Sequence, residues 1–149
     1  MVVVITGASA GIGRELALLL HGMGARLLLA ARRMDKLEAL NRELGGGHVV
    51  LRCDVGIESD CRLLIERAIE RCGRIDTLVC NAGYGLFRSV DETDRESLEA
   101  IFRTNVTGTV DCVRYAAPHM KRNDVRDGVR GQVMLVSSAA ARRGLPWLG

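Results

Sequence analysis

The feature that most limits what this chain can fold into is a glycine cluster, Gly7, Gly11 and Gly13, in the stretch VITGASAGIGREL. Before it stands a short β-branched run, VVVIT at 2–6. After it, IGRELALLLHG at 12–22 carries Ile12, Leu16, Leu19 and Leu20 at helical spacing. A helix that starts straight after a strand leaves its first N–H groups without intrahelical partners, and those groups carry partial positive charge. Glycines let the chain turn sharply there and let a phosphate approach the backbone. The spacing is G-x-x-x-G-x-G rather than G-x-G-x-x-G. Between a strand and a helix it predicts a turn that holds the pyrophosphate of a dinucleotide; a purely structural turn is the weaker alternative.

The rest of the chain repeats the same alternation. RLLLAA (26–31), HVVLRC (48–53), TLVC (77–80) and QVMLVSS (132–138) are short apolar runs that read as buried strands. Between them lie helical patterns. Residues 34–44 place Leu37, Leu40 and Leu44 on one stripe and are broken by Gly45-Gly46-Gly47. A helix capped by Ser59 runs to Cys72 with Leu64, Ala68 and Ile69 inward. A long helix capped by Thr93 or Asp94 runs from 95 to about 120. The order β-α-β-α-β-α-β-α-β with right-handed crossovers predicts an α/β fold, a doubly wound parallel sheet in three layers. The 149 residues suit one domain, with no internal repeat or low-complexity linker.

Composition removes several classes of function. A net charge of +3 and 3% aromatic residues argue against a nucleic-acid partner. No stretch of 18 apolar residues exists, so no membrane span is expected. The N-terminus lacks the basic and small-residue pattern of a signal peptide, which makes a cytoplasmic chain the expectation. Five cysteines, odd in number and without C-x-x-C spacing, read as core-filling thiols, and no metal site is expected.

Taken together, Thr6-Gly7-Ala8-Ser9-Ala10-Gly11-Ile12-Gly13, Asp54-Val55 after the third strand, Cys80-Asn81-Ala82-Gly83 after the fourth, Asn105 in Thr-Asn-Val-Thr-Gly, and Ser138 after the fifth resemble the short-chain dehydrogenase/reductase family over essentially the whole chain. Cys80 replaces an Asn of the family's Asn-Asn-Ala-Gly turn. The resemblance implies a Rossmann-type fold and hydride transfer between a nicotinamide cofactor and a small-molecule alcohol or carbonyl substrate. Gly7, Ser9, Ala10, Gly11, Ile12 and Gly13 would line the pyrophosphate, with Ile12 under the cofactor. Asp54 and Val55 would meet the adenine. Asn81, Ala82 and Gly83 would hold the fourth strand near the ribose. Ser138 would polarise the substrate oxygen and Asn105 would support a water relay. It also implies a homo-oligomer built through the long helices.

The cofactor choice falls on the end of the second strand. An acid there selects NAD(H) through the ribose 2′-OH; this chain has Ala31 followed by Arg32 and Arg33. A guanidinium can meet a 2′-phosphate through two parallel bonds, and at ~4 Å each charge pair is worth roughly 1 to 4 kcal/mol. NADP(H) is therefore the expected cofactor, with Arg32 first and Arg33 and Arg14 as helpers. NAD(H) stays admissible because Ala10 is not basic. The family's proton-donating tyrosine and its lysine would fall at positions 151 and 155, beyond the 149 residues, so the chain is expected to be truncated and inactive alone. Tyr84 and Tyr115 do not replace the tyrosine, since Arg88 and His119 stand where its lysine would be. The alternatives are a non-catalytic dinucleotide-binding or sensing module and, more remotely, a methyltransferase-like domain.

Overall fold

The computed structural model describes residues 1–141. Five strands, β1 (Val2–Thr6), β2 (Arg26–Ala31), β3 (Val49–Arg52), β4 (Thr77–Cys80) and β5 (Gln132–Leu135), form one sheet in the order β3-β2-β1-β4-β5. Every pairing is parallel. The helices α1 (Gly11–Gly22), α2 (Met34–Glu43), α3 (Glu58–Cys72), α4 (Arg95–Phe102) and α5 (Gly108–Met120) supply the crossovers.

The period-2 alternation of the strands divides the core in two. Val3, Ile5, Leu27, Leu29 and Val79 face α1 and α2, where Ala17, Leu37, Leu40 and Leu44 are buried. Val4, Leu28, Leu78 and Cys80 face α3 and α5, where Cys61, Leu64, Ile65, Ala68, Cys112 and Ala116 are buried. This is the three-layer, doubly wound arrangement expected of short apolar strands covered on both faces. Four of the five cysteines, Cys53, Cys61, Cys80 and Cys112, are buried free thiols.

Several local readings change. In α1 the buried line is Gly13 and Ala17, while Ile12 and Leu19 are exposed; a helix laid close against a sheet uses its smallest side chains for the contact, and the leucine spacing hid that. Helix α3 begins at Glu58 with Ile57 as its N-cap and no side-chain cap, so Ser59 lies inside the helix. Asp94 does cap α4, accepting from Ser97 N at 2.7 Å. The single helix expected over 95–120 is interrupted by a π turn at Arg103–Thr107, where Gly108 N donates to Arg103 O. β5 ends at Leu135, not 138, although Val136 N still donates to Cys80 O at 3.0 Å. All four β5 residues are exposed.

Candidate active site

β1 leads to β2 on one side, and the chain later returns on the other side through β4. The switch point therefore lies between β1 and β4, and in open α/β sheets ligands bind over the strand C-termini there. A cleft of about 1170 Å³ occupies that position.

Its floor is a knot of backbone contacts. Thr6, the last residue of β1, is 2% exposed. Its hydroxyl donates to Val79 O (3.3 Å) and accepts from Asn81 N (3.0 Å) and Ala82 N (3.1 Å). Asn81 Nδ2 donates to Thr6 O (3.0 Å) and Gly7 O (3.3 Å). These bonds fasten the turn after β4 onto the glycine loop. They also explain two glycines. A Cβ on Gly13 would lie 2.5 Å from Asn81 Nδ2 and 2.6 Å from Gly7 O, and one on Gly7, at φ +67°, would lie 2.8 Å from Ala82 Cα. Gly11 opens α1, and Gly13 is buried beneath the loop. Ser9, Ala10 and Ile12 border the cleft, with Ile12 66% exposed toward it.

At the β2–β3 end stand Arg32, Arg33, Asp54 and Val55. Arg33 Nη2 donates to Ser9 Oγ at 3.0 Å, so this guanidinium already reaches the glycine loop. Arg14 is different: it bonds both oxygens of Glu43, at 2.9 and 2.7 Å, and Glu15, and does not border the cleft. Asp54 Oδ1 accepts from Gly56 N at 3.0 Å, and its own N–H donates to Asp60 Oδ2 at 2.9 Å, which fixes the turn after β3.

At the β4–β5 end the cleft is bordered by Gly83, Tyr84, Leu86, Phe87, Asn105, Ser137 and Ser138. Asn105 projects from the π turn, and its amide meets the Tyr84 backbone at both ends: Oδ1 accepts from Tyr84 N (3.1 Å) and Nδ2 donates to Tyr84 O (2.8 Å). Ser138 Oγ accepts from Ala140 N at 3.1 Å, which leaves its O–H as a donor. Tyr115 lies elsewhere, its hydroxyl donating to Glu58 Oε1 at 2.7 Å on the outer surface of α3 and α5. Burial pushes the Cys53 thiol up to about 12 and the Cys80 thiol up to about 11. Both cysteines border the cleft as neutral thiols at pH 7, so neither serves as a thiolate nucleophile.

Thirteen of the fifteen site residues expected from the sequence thus border one cleft, while Gly13 lies buried beneath its loop and Gly11, at φ +55°, turns the chain into α1. Thr6 is the one that sequence reasoning passed over. It reads as an ordinary β-branched strand residue, and only its place before the glycine turn hints at more.

A parallel sheet wound both ways from β1, with a glycine cradle at the switch point, defines a Rossmann-type α/β domain. The family model for short chain dehydrogenases matches residues 1–149, and the chain belongs to that family. It is 37% identical over 150 residues to 11-beta-hydroxysteroid dehydrogenase-like 4A of Arabidopsis thaliana, covering 97% of this chain and 48% of that protein. An alcohol dehydrogenase from Thermococcus sibiricus, solved with 5-hydroxy-NADP, superposes with a TM-score of 0.90 at 31% identity over 99% of this chain and 62% of that one. A metagenomic short-chain oxidoreductase in complex with NADP gives 0.87 at 31% identity, over 99% and 66%. The chain spans about half the length of the curated relative. Among the described residues, no helix is long and apolar enough to cross a membrane.

Proposed function

We propose that this chain is the cofactor-binding part of an NADP(H)-dependent oxidoreductase that interconverts an alcohol and a carbonyl compound. The observation that carries this reading is the union of a Cβ-free glycine cradle with two arginines, Arg32 and Arg33, in one cleft. When bound, the nicotinamide cofactor supplies a hydride donor or acceptor.

The chain's own residues hold and orient. Gly7, Ser9, Ala10 and the start of α1 would hold the pyrophosphate on backbone N–H groups. Ile12 gives the cofactor an apolar floor, and Asp54 and Val55 border the adenine end. Arg32 and Arg33 would meet a 2′-phosphate, a role supported by their place on the cleft border and by the bond from Arg33 to Ser9 in the glycine loop. Asn81, Ala82 and Gly83 hold the ribose end. Ser138 presents a hydroxyl donor that would bond the substrate oxygen and stabilise the negative charge that develops on it. Asn105 fixes the Tyr84 backbone and so the substrate end of the cleft. A homo-oligomer is supported by the exposed line Leu98, Phe102, Val106 and Val110 along α4, the π turn and α5. A reducing, cytoplasmic setting is supported by the free thiols.

The test is a titration of the chain with NADPH and NADH, repeated on Arg32→Ala. NADPH is expected to bind tighter by about one to three decades, with the preference collapsing in the variant. Unchanged NADPH affinity in Arg32→Ala would sink the cofactor assignment.

A further inference from the structure

The four buried cysteines share one half of the core. Cys53, Cys61, Cys80 and Cys112 all lie between the sheet and helices α3 and α5. Cys53 follows β3 and Cys80 ends β4, and β2 and β1 stand between those strands. Three strand spacings, about 14 Å, keep these two apart, whereas a disulfide needs Cα atoms within about 7 Å.

Cys61 and Cys112 are placed differently, at the starts of α3 and α5. The helices meet there at backbone distance: a Cβ on Gly108, the first residue of α5, would collide with Val55 O in the turn before α3. Cys61 Sγ donates to Val55 O at 3.3 Å and lies 3.8 Å from Gly108 O. Cys112 stands one helical turn beyond Gly108, on the same face of α5. Its thiol meets that of Cys61 in a hydrogen bond.

Both sulfurs are shut in, Cys61 at 0% exposure and Cys112 at 1%. A bulky disulfide reagent is too large to reach either in the folded chain; the thiol it meets is the partly exposed Cys72 at the end of α3. A small uncharged oxidant has a short path, because Val55, whose carbonyl accepts from Cys61, borders the cleft. The pair is also unequal. The hydrogen bond from Cys112 pulls the Cys61 thiol below its ordinary value, against burial. That bond, and then burial, push the Cys112 thiol up. Cys61 is the partner that reacts first and Cys112 the one that resolves.

We infer that Cys61 and Cys112 are a peroxide-sensitive thiol pair that closes to a reversible disulfide and staples α3 to α5. Cys61 attacks one oxygen of hydrogen peroxide and breaks the O–O bond. It keeps a hydroxyl group as sulfenic acid, and the other oxygen leaves as water with the Cys61 proton. Cys112 then attacks the Cys61 sulfur, the S–S bond forms, and the hydroxyl group departs as water with the Cys112 proton. Two thiols give up two electrons and two protons, and one peroxide becomes two waters. The new bond closes the chain around α3, β4, α4 and the π turn. That restricts the unfolded state and stabilises the oxidised fold.

The experiment treats the folded 149-residue chain carrying Cys72→Ser with hydrogen peroxide and digests it for mass spectrometry. The expected product is lighter by two hydrogen atoms, with the peptides that hold Cys61 and Cys112 joined and released again by dithiothreitol. Its melting midpoint is expected about 5 °C above that of the reduced chain. Adding Cys112→Ala should abolish the link and let Cys61 oxidise on to sulfinic acid; the peptide map of Cys72→Ser decides even where this double variant does not fold. In the wild type, glutathione disulfide should modify Cys72 alone. Glutathione on Cys61 or Cys112 of the folded chain would overturn the small-oxidant assignment. A link through Cys53 or Cys80 instead, separate oxidation of Cys61 and Cys112, thiols that all survive peroxide, or a midpoint not raised by the link would overturn the staple.

Discussion

The same five strands end very differently at their two edges. At their N-terminal ends the protein satisfies its own polar groups. Asp76 accepts from Val2 N at 2.7 Å through one carboxylate oxygen and from Arg74 at 2.8 Å through the other. Asn123 Nδ2 donates to Ile75 O and Arg130 O, both at 2.8 Å. His48 accepts from Leu27 N at 3.2 Å, where β2 extends past the start of β3. At the C-terminal ends glycines keep side chains out, and a cleft of about 1170 Å³ stays open. Sealing one end lets the other be held in shape without ligand. The difference separates polar groups that serve the fold from polar groups aimed at a partner.

Thr6 is where both duties meet, so its loss carries the largest expected effect. Thr6→Val keeps the shape but leaves Asn81 N and Ala82 N without their acceptor. At roughly 1–3 kcal/mol per stranded group, a loss of about 3 kcal/mol in chemical denaturation is expected. NADPH affinity should fall with it, by about ten-fold, because the turn after β4 loses its tether. Asp76→Ala removes a half-buried anchor at the sealed end, with side-chain exposures of 15% for Asp76 and 20% for Arg74. About 2 kcal/mol of stability should be lost there, with NADPH affinity unchanged at temperatures where the variant is folded. If Asp76→Ala weakened NADPH as much as Thr6→Val, the two ends would not be independent.

The open end was legible in the sequence, and the sealed end was not. Gly7, Gly13, Asn81 and Asp54 sit in short local patterns whose chemistry follows from a strand that turns straight into a helix or loop. The parallel, doubly wound character of the sheet follows from alternation and crossover handedness. By contrast, the bond from Val2 N to Asp76 spans 74 positions and that from Leu27 N to His48 spans 21. Such pairs depend on which strands become neighbours and where each begins, and periodicity carries neither. The π turn escaped for a related reason. Arg103–Thr107 lies inside a stretch whose flanks both read as helix, and the extra residue is accommodated where Asn105 reaches across to Tyr84. Ser59 misled because a good capping residue lay two positions beyond the actual N-cap, Ile57.

The smallest expected effect separates the two ends by pH. Since Leu27 N–H donates to His48 Nδ1, that nitrogen carries the lone pair and Nε2 carries the proton, which points at His21 Nδ1 2.9 Å away. Protonating His48 would put a hydrogen against the Leu27 N–H and break the cap on β2. Burial, and then repulsion from His21, hold the His48 imidazole below its ordinary 6.5. The folded chain therefore prefers His48 neutral, while the unfolded chain takes up a proton near pH 6.5. The stabilisation from His48 is fully present above that value. It declines as pH falls through it and levels off once the folded state is protonated too. Denaturation midpoints of wild type and His48→Gln, compared from pH 7.5 to 5, should show the wild type losing more stability on acidification, since glutamine can offer Leu27 an acceptor that does not titrate. Carboxylates titrating in the same range are common to both chains and cancel in the comparison. Parallel pH profiles would remove His48 from the account of the sealed end. A matching drop in NADPH affinity in wild type alone would show that this end reports to the cleft after all.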